Sequence, residues 1–257
     1  MITKTRAIVV RKTPYTDNSA VVQLFTEDAG LLSFLVQGIH GKSAGSRNNS
    51  TRNGGNNTGT SRSNSPSNVS KSALYQLSNV VELVYHHKPG GMQRIKEISL
   101  ISGWGLASTP AHDQVRWFVL EILQLALQQE QPEQELFSVA THLFEKLNLG
   151  EKNISNLVIS AVVDLTHAMG FSIELSDESC INGLDILTGS VAGRTSTPSH
   201  TITAQEIQLL QTILMDSETK IGNPMLRKSL FQKLSLYLCT HGLHGKTLQS
   251  LEILKEI

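Results

Sequence analysis

Residues 2–37 run ITKTRAIVVRKTPYTDNSAVVQLFTEDAGLLSFLVQ, and the fold class turns on this stretch. Ile2–Lys12 is rich in Thr, Ile and Val, which predicts a first strand. Pro14-Tyr-Thr-Asp-Asn18 predicts a turn, Ala20–Glu27 a second strand, Asp28-Ala-Gly30 a tight turn and Leu31–Gln37 a third strand. Short strands joined by short turns imply an antiparallel meander. The alternation is imperfect, since Val21 and Val22 are both apolar and so are Leu31 and Leu32. Doublets of that kind mark strands covered on both faces, as in a small closed barrel with helices packed against its outside.

Working outward, residues 43–72 break the pattern. These 30 residues hold 9 Ser, 7 Asn, 4 Gly and 3 Thr, with Arg47, Arg52, Arg62 and Lys71 and no acid. Such a composition has little apolar surface to offset the entropy of ordering, so it predicts a disordered insertion. Strand signals resume at Leu77–His87 and Gln93–Leu100, either side of the turn Lys88-Pro-Gly-Gly91. Five short strands with one long excursion suit a five-stranded OB-type barrel, with an SH3-like barrel as the alternative.

From Thr109-Pro110 the period becomes helical. Helices are predicted from Pro110 to about Gln129, from Pro132 to about Leu147 and over Ile154–Met169, followed by an irregular stretch at 171–200. Thr203 with Glu206 makes a capping box for a fourth helix. Asn223-Pro224 opens a fifth, with Leu226, Leu230, Leu234 and Leu238 in one stripe, and Lys246–Leu254 is a short last one. The expected fold is therefore α+β. A barrel occupies 1–103, with its insertion at 43–72, and an all-α domain of about six helices occupies 104–257.

The formal net charge of zero hides a split. Residues 1–96 carry 12 Lys+Arg against 4 Asp+Glu, a balance of +8, and the remainder carries the opposite balance. A basic part joined to an acidic part points to a polyanion-binding module and a module with another job. The two cysteines, Cys180 and Cys239, cannot build a disulfide framework and fit a reducing compartment. The start lacks an apolar run of signal-peptide length, so a cytoplasmic protein is expected.

Catalytic sets are missing from the sequence. It has no GxxxxGK[ST] loop, no GxGxxG after a strand and no HExxH, and Gly189-Ser-Val-Ala-Gly193 lacks nucleophile-elbow spacing. His86 and His87 are neighbours on a predicted strand and point to opposite faces, which argues against a shared metal. The stronger constellation is electrostatic. Lys4, Arg6, Arg11 and Lys12 lie on the first strand, His40, Lys42 and Arg47 lie where the third strand leaves for the insertion, and Arg94 and Lys96 are two apart on the fifth. Tyr15, in a polar turn, is the best stacking ring; Phe25, Phe34 and Tyr85 are further aromatic candidates, of which Phe25 and Phe34 are read as core.

These residues resemble those of a known family. The opening TRAIVVRKTPYTDNSAVVQLFTEDAGLLSFLVQGIHGK, the segment LSNVVELVYHHKPGGMQRIKEISLI and the ending LRKSLFQKLSLYLCTHGLHGKTLQSLEILKEI are similar, in order, to the RecO recombination mediators. The ending carries that family's His-x-x-Gly and Lys-x-x-x-Ser-Leu patterns. The resemblance implies an OB fold followed by a helical domain. It also implies binding of single- and double-stranded DNA, annealing of complementary strands and cooperation with RecR, and in many bacteria RecF, in loading RecA. On the same resemblance the strands so loaded are expected to be coated by single-stranded-DNA-binding protein, and a nucleoid-associated protein that is not an enzyme is expected. Many relatives hold a four-cysteine zinc element; the matching region Asp177–His200 offers Cys180 alone, so no zinc or other cofactor is expected. A turn that is usually Lys/Arg-Gly-x-Arg reads Gln37-Gly-Ile-His40, two cations fewer. The competing reading is an adaptor whose barrel binds a protein and not DNA. In either case Arg116, on the first long helix, is the candidate for gripping an acidic partner tail.

Overall fold

The doublets of apolar residues in β1 (Ile2–Thr16) and β2 (Ser19–Thr26) come from a sheet packed on both sides. The computed structural model describes residues 2–39, 71–105, 108–219 and 222–254. β1 and β2 join β3 (Gly30–Gln37), β4 (Val80–His86) and β5 (Arg94–Ser102) in one antiparallel sheet of order β3-β2-β1-β4-β5. Along β1 the side chains sort by parity. Ala7 and Val9 point to an inner core with Val22, Leu24, Phe34 and Leu83, while Ile8 and Val10 join Phe25, Leu31 and Val80 in a core shared with the helices. Phe25 meets Phe137 edge to face, ring centres 5.3 Å apart.

Two expectations change here. β1 runs on through Pro14 and Tyr15 to Thr16, so the turn shrinks to Asp17-Asn18. Pro14 is tolerated because β1 pairs with β4 only over Ile2–Ile8; past Val10, no strand among the described residues lies on its other edge to receive an N–H. Second, the sheet does not close. β3 and β5 meet only around Gln93, whose N–H donates to Ser33 O at 2.8 Å and whose carbonyl accepts from Leu35 N–H at 3.4 Å. This is the partly open form of an OB-type barrel. A short helix, α1 (Lys71–Leu74), sits between β3 and β4 in sequence, so the last two residues assigned to the disordered insertion are ordered. Residues 43–70 of that insertion lie outside the described residues.

The helical part contains α2 (Pro110–Ala126), α3 (Gln134–Asn148), α4 (Ile154–Ala168), α6 (Ala204–Met215) and α7 (Pro224–Tyr237), with short helices α5 (Asp177–Asn182) and α8 (Leu251–Leu254). α4 is buried on most sides and forms the middle of the bundle. The capping box of Thr203 and Glu206 opens α6, and Asn223 caps α7. Leu230, Leu234 and Leu238 of the predicted stripe are fully buried, and a π-helical turn, Leu238–Gly242, follows. The stretch read as irregular holds α5 and a small sheet of β6 (Leu184–Asp185), β7 (Ser190–Val191) and β8 (Thr201–Ile202). Strands of two residues are too short to show a period.

The loop between α2 and α3 docks on the sheet. Glu130 N–H donates to Leu31 O at 3.1 Å, and Glu130 Oε1 accepts from Gly90 N–H at 2.7 Å. Gly30 (φ +71°) makes this possible, because a Cβ there would lie 2.0 Å from Gln131 O. No described helix is long and apolar enough to cross a membrane.

Candidate nucleic-acid interface

The opening in the sheet is the candidate site. Beyond Gln93 the two edge strands part, and a cavity of about 540 Å³ lies between Leu35–Gln37 of β3, Leu74 and Tyr75 beside α1, and Arg94, Lys96 and Ile98 of β5. Gln93 fixes its lower end: its side chain accepts from Lys88 N–H at 2.7 Å and donates to Lys88 O at 2.7 Å and Gly91 O at 2.8 Å. Arg94 and Lys96 are both exposed and both line the cleft. A bulge contributes to this placement, since Tyr85 pairs with Ile95 but Val84 with Glu97, leaving Lys96 as the extra residue.

The other predicted contacts scatter. Lys12 reaches Ser72 of α1, Nζ to Oγ 3.5 Å, which brings it near the same opening. Arg11 is exposed opposite Gln23, on the outer face of the β1–β2 hairpin, after a register shift between Val9 and Arg11. Tyr15 is 64% exposed at the end of that hairpin. Arg6 is already engaged: it forms a two-pronged pair with Glu27, at 2.9 and 2.6 Å, and lies over the Phe137 ring. That pairing raises the guanidinium pKa and lowers the Glu27 carboxyl. Arg6 thus ties the sheet to α3 and leaves the group of free cations. His40, Lys42 and Arg47 lie outside the described residues. Phe25, Phe34 and Tyr85 are buried, which removes Tyr85 as a stacking ring.

Arg116 is a correction. It is wholly buried rather than a surface cation. Its Nη1 donates to Ser108 Oγ at 2.7 Å and Asp113 Oδ1 at 2.9 Å, its Nη2 to Asn148 Oδ1 at 2.7 Å, and it lies over the Trp104 ring at 4.9 Å. Burial lowers its pKa, and Asp113 works against that. Trp104 in turn donates to Leu77 O at 2.9 Å, and Asn148 to Ser102 Oγ at 2.8 Å, so Arg116 binds the β5–α2 connection to both halves. An acidic tail cannot reach it. The spacing was a usable signal: Arg116 stands three, four and seven residues before Val119, Leu120 and Leu123, on the buried face.

Two features were missed. Tyr75, 4% exposed, forms part of the cleft wall, and burial pushes its hydroxyl up to about 12. It follows the Ser/Asn-rich stretch closely, where no period is visible. In the helical part, an apolar groove of about 560 Å³ runs between α4, α7, the π turn and α8. Val158, Ile159, Phe231 and Leu248 line it, with Arg227 and Lys228 also on its walls and Met225, 76% exposed, beside them. Among the described residues no three His, Cys, Asp or Glu side chains gather as a metal site. His86 is paired across from Arg94, and the His87 ring lies against Tyr85.

Comparison with known proteins adds the following. The family model described as recombination protein O N terminal matches residues 1–52, and that described as recombination protein O C terminal matches residues 117–250. The chain is similar to the DNA repair protein RecO of Christiangramia forsetii, 23% identical over 265 residues, covering 100% of this chain and 99% of the relative. It is 25% identical over 264 residues to that of Bacteroides fragilis, with 100% and 99% covered. The RecO of Flavobacterium johnsoniae is 24% identical over 262 residues, with 99% and 98% covered.

Proposed function

The chain belongs to the RecO family of DNA repair proteins, and from that premise we propose that it binds single- and double-stranded DNA and anneals complementary strands. On this reading it helps load RecA together with RecR, and with RecF where that protein is present, on strands held by single-stranded-DNA-binding protein. The division of labour falls near residue 103, with DNA on the sheet and proteins on the helices. The protein acts by holding strands, not by making or breaking bonds, and its place is the cytoplasm, at the nucleoid.

The observation that carries the proposal is the open cleft with Arg94 and Lys96 on one wall. A strand backbone following the edge of β5 would meet both cations, and Lys12 lies close to α1 on the way to the exposed hairpin with Arg11 and Tyr15. Backbone contacts of this kind are cationic and salt-sensitive. His40, Lys42 and Arg47 complete the proposed set of strand contacts. The helical groove, with Arg227 and Lys228 beside apolar walls, fits an acidic segment bearing apolar side chains. It replaces Arg116 as the place for a partner tail.

The test is strand retention and annealing by the purified chain at about 50 and 200 mM salt. Retention that weakens with salt, and faster pairing of complementary oligonucleotides, are expected. A protein that neither retains a labelled strand nor speeds pairing overturns the proposal. Retention of RecR or single-stranded-DNA-binding protein without any DNA retention favours the adaptor reading instead.

A further inference from the structure

The Lys-x-x-x-Ser-Leu pattern near the end of the chain has a physical role that points beyond stability. Lys246 Nζ donates to Leu125 O at 2.9 Å, on the last turn of α2. The N–H groups of Gln249 and Ser250 donate to the two oxygens of the Glu121 carboxylate at 2.8 and 2.9 Å, and the Ser250 hydroxyl joins the second. Lys246–Ser250 is thus strapped along α2. The residues between those anchors serve another surface, because Thr247 and Leu248, and Leu251 just after them, line the apolar groove. Cys239 lines the groove too, as does Leu248. One short segment is therefore both the groove's wall and α2's clasp.

α2 carries the connection to the sheet. Gln124, between the two anchored residues Glu121 and Leu125, donates from Nε2 to Val10 O at 3.0 Å. Val10 sits at the register shift in β1, and the next two residues are the cations Arg11 and Lys12. A shifted register leaves backbone groups outside the ladder, and the bulged strand bends there. The position of Val10 therefore decides how Arg11 and Lys12 are presented.

We propose that the strap Lys246–Ser250 couples the helical groove to the basic end of β1, so that a ligand in one changes binding at the other. The inference rests on the proposed nucleic-acid reading for one of its two sites. Coupling between sites is reciprocal, so strand binding at the sheet must be felt at the groove, and Cys239 reports it there. Burial holds the Cys239 thiol above its ordinary pKa, and it is 8% exposed, so a thiol reagent meets it slowly unless the strap moves.

The experiment uses the full chain with Cys180→Ser, leaving Cys239 as the reporter. Its rate of reaction with a disulfide reagent is measured with and without a saturating single strand of about 16 nucleotides, the upper site size for one such fold. The strand is expected to change the rate about fivefold, the low end for coupled sites. Adding Gln124→Ala should abolish the change when the strand is again present at saturation. A bound strand that leaves the Cys239 rate unaltered overturns the coupling, and so does a change that persists in Gln124→Ala. If no strand binds, the nucleic-acid reading fails by itself. The coupling is then judged on Gln124→Ala without DNA, whose Cys239 rate must differ from that of the unaltered chain.

Discussion

Replacing Arg94 and Lys96 together by Gln tests the cleft most directly. Both side chains are exposed and neither has an ion-pair partner among the described residues, so the fold should lose within about 0.5 kcal/mol. Each phosphate neutralised on a single strand adds about 0.7 to the slope of log affinity against log salt. Two cations on one wall should thus contribute about 1.4, and between about 50 and 200 mM salt the unaltered protein should lose about sevenfold more affinity than the double variant. Fluorescence anisotropy of a labelled oligonucleotide at four salt concentrations measures the slope. Arg6→Gln is the control, because Glu27 already holds that guanidinium; its slope should stay with the unaltered protein's. A double variant that keeps the full slope, or an Arg6 variant that loses as much, refutes the argument from cleft geometry.

Arg116→Met should cost about 3 kcal/mol in urea unfolding, since it strands Ser108, Asp113 and Asn148 around an emptied buried site. An effect below 1 kcal/mol would mean those groups find other partners. Phe25→Ala should cost about 3–5 kcal/mol, because the ring is fully buried between sheet and α3. Glu206 gives a pH signature. Burial pushes its carboxyl up, but hydrogen bonds from Lys233, Ser229 and Thr203 outweigh that and hold it below its ordinary value of 4.5. The folded state then binds fewer protons than the unfolded chain, so this stabilisation is complete above about pH 4.5 and is lost as acid protonates the group. Lys233→Met should flatten the acid limb of the stability curve, and an unchanged limb would remove Glu206 as its source.

The sheet was legible because burial on both faces leaves doublets such as Val21-Val22, and the helices because caps at Thr203 and Asn223 are local chemistry. What escaped depends on contacts distant in sequence. Pro14 looks like a turn residue until β1 is seen to pair with β4 only as far as Ile8. The open barrel follows from where Gln93 meets β3, which no local pattern encodes. At the candidate site, spacing puts Arg94 and Lys96 on one strand, yet a bulge sets how they line the cleft. Arg116 was misplaced because a charge was weighed by type while its spacing put it inside. The groove escaped altogether, being assembled from α4, α7 and the chain's end.

The pairing of β1 with two partners also sets an order of events in folding. Its second half pairs with β2, a hairpin closed by Asp17-Asn18, and β3 follows after one more tight turn. Its first half must wait for β4, whose residue Val80 meets Ile8 across more than seventy positions of chain. Local hairpins close in microseconds, whereas distant pairing bears the loop-closure entropy first. The meander β1–β3 should therefore form early and present a half-made β1 edge as a template. Because that entropy grows only with the logarithm of loop length, halving the excursion between Ile39 and Lys71 would ease β4's arrival by less than about 0.6 kcal/mol. A long insertion at this point is kinetically cheap, which is where a chain of this fold can grow without refolding its core.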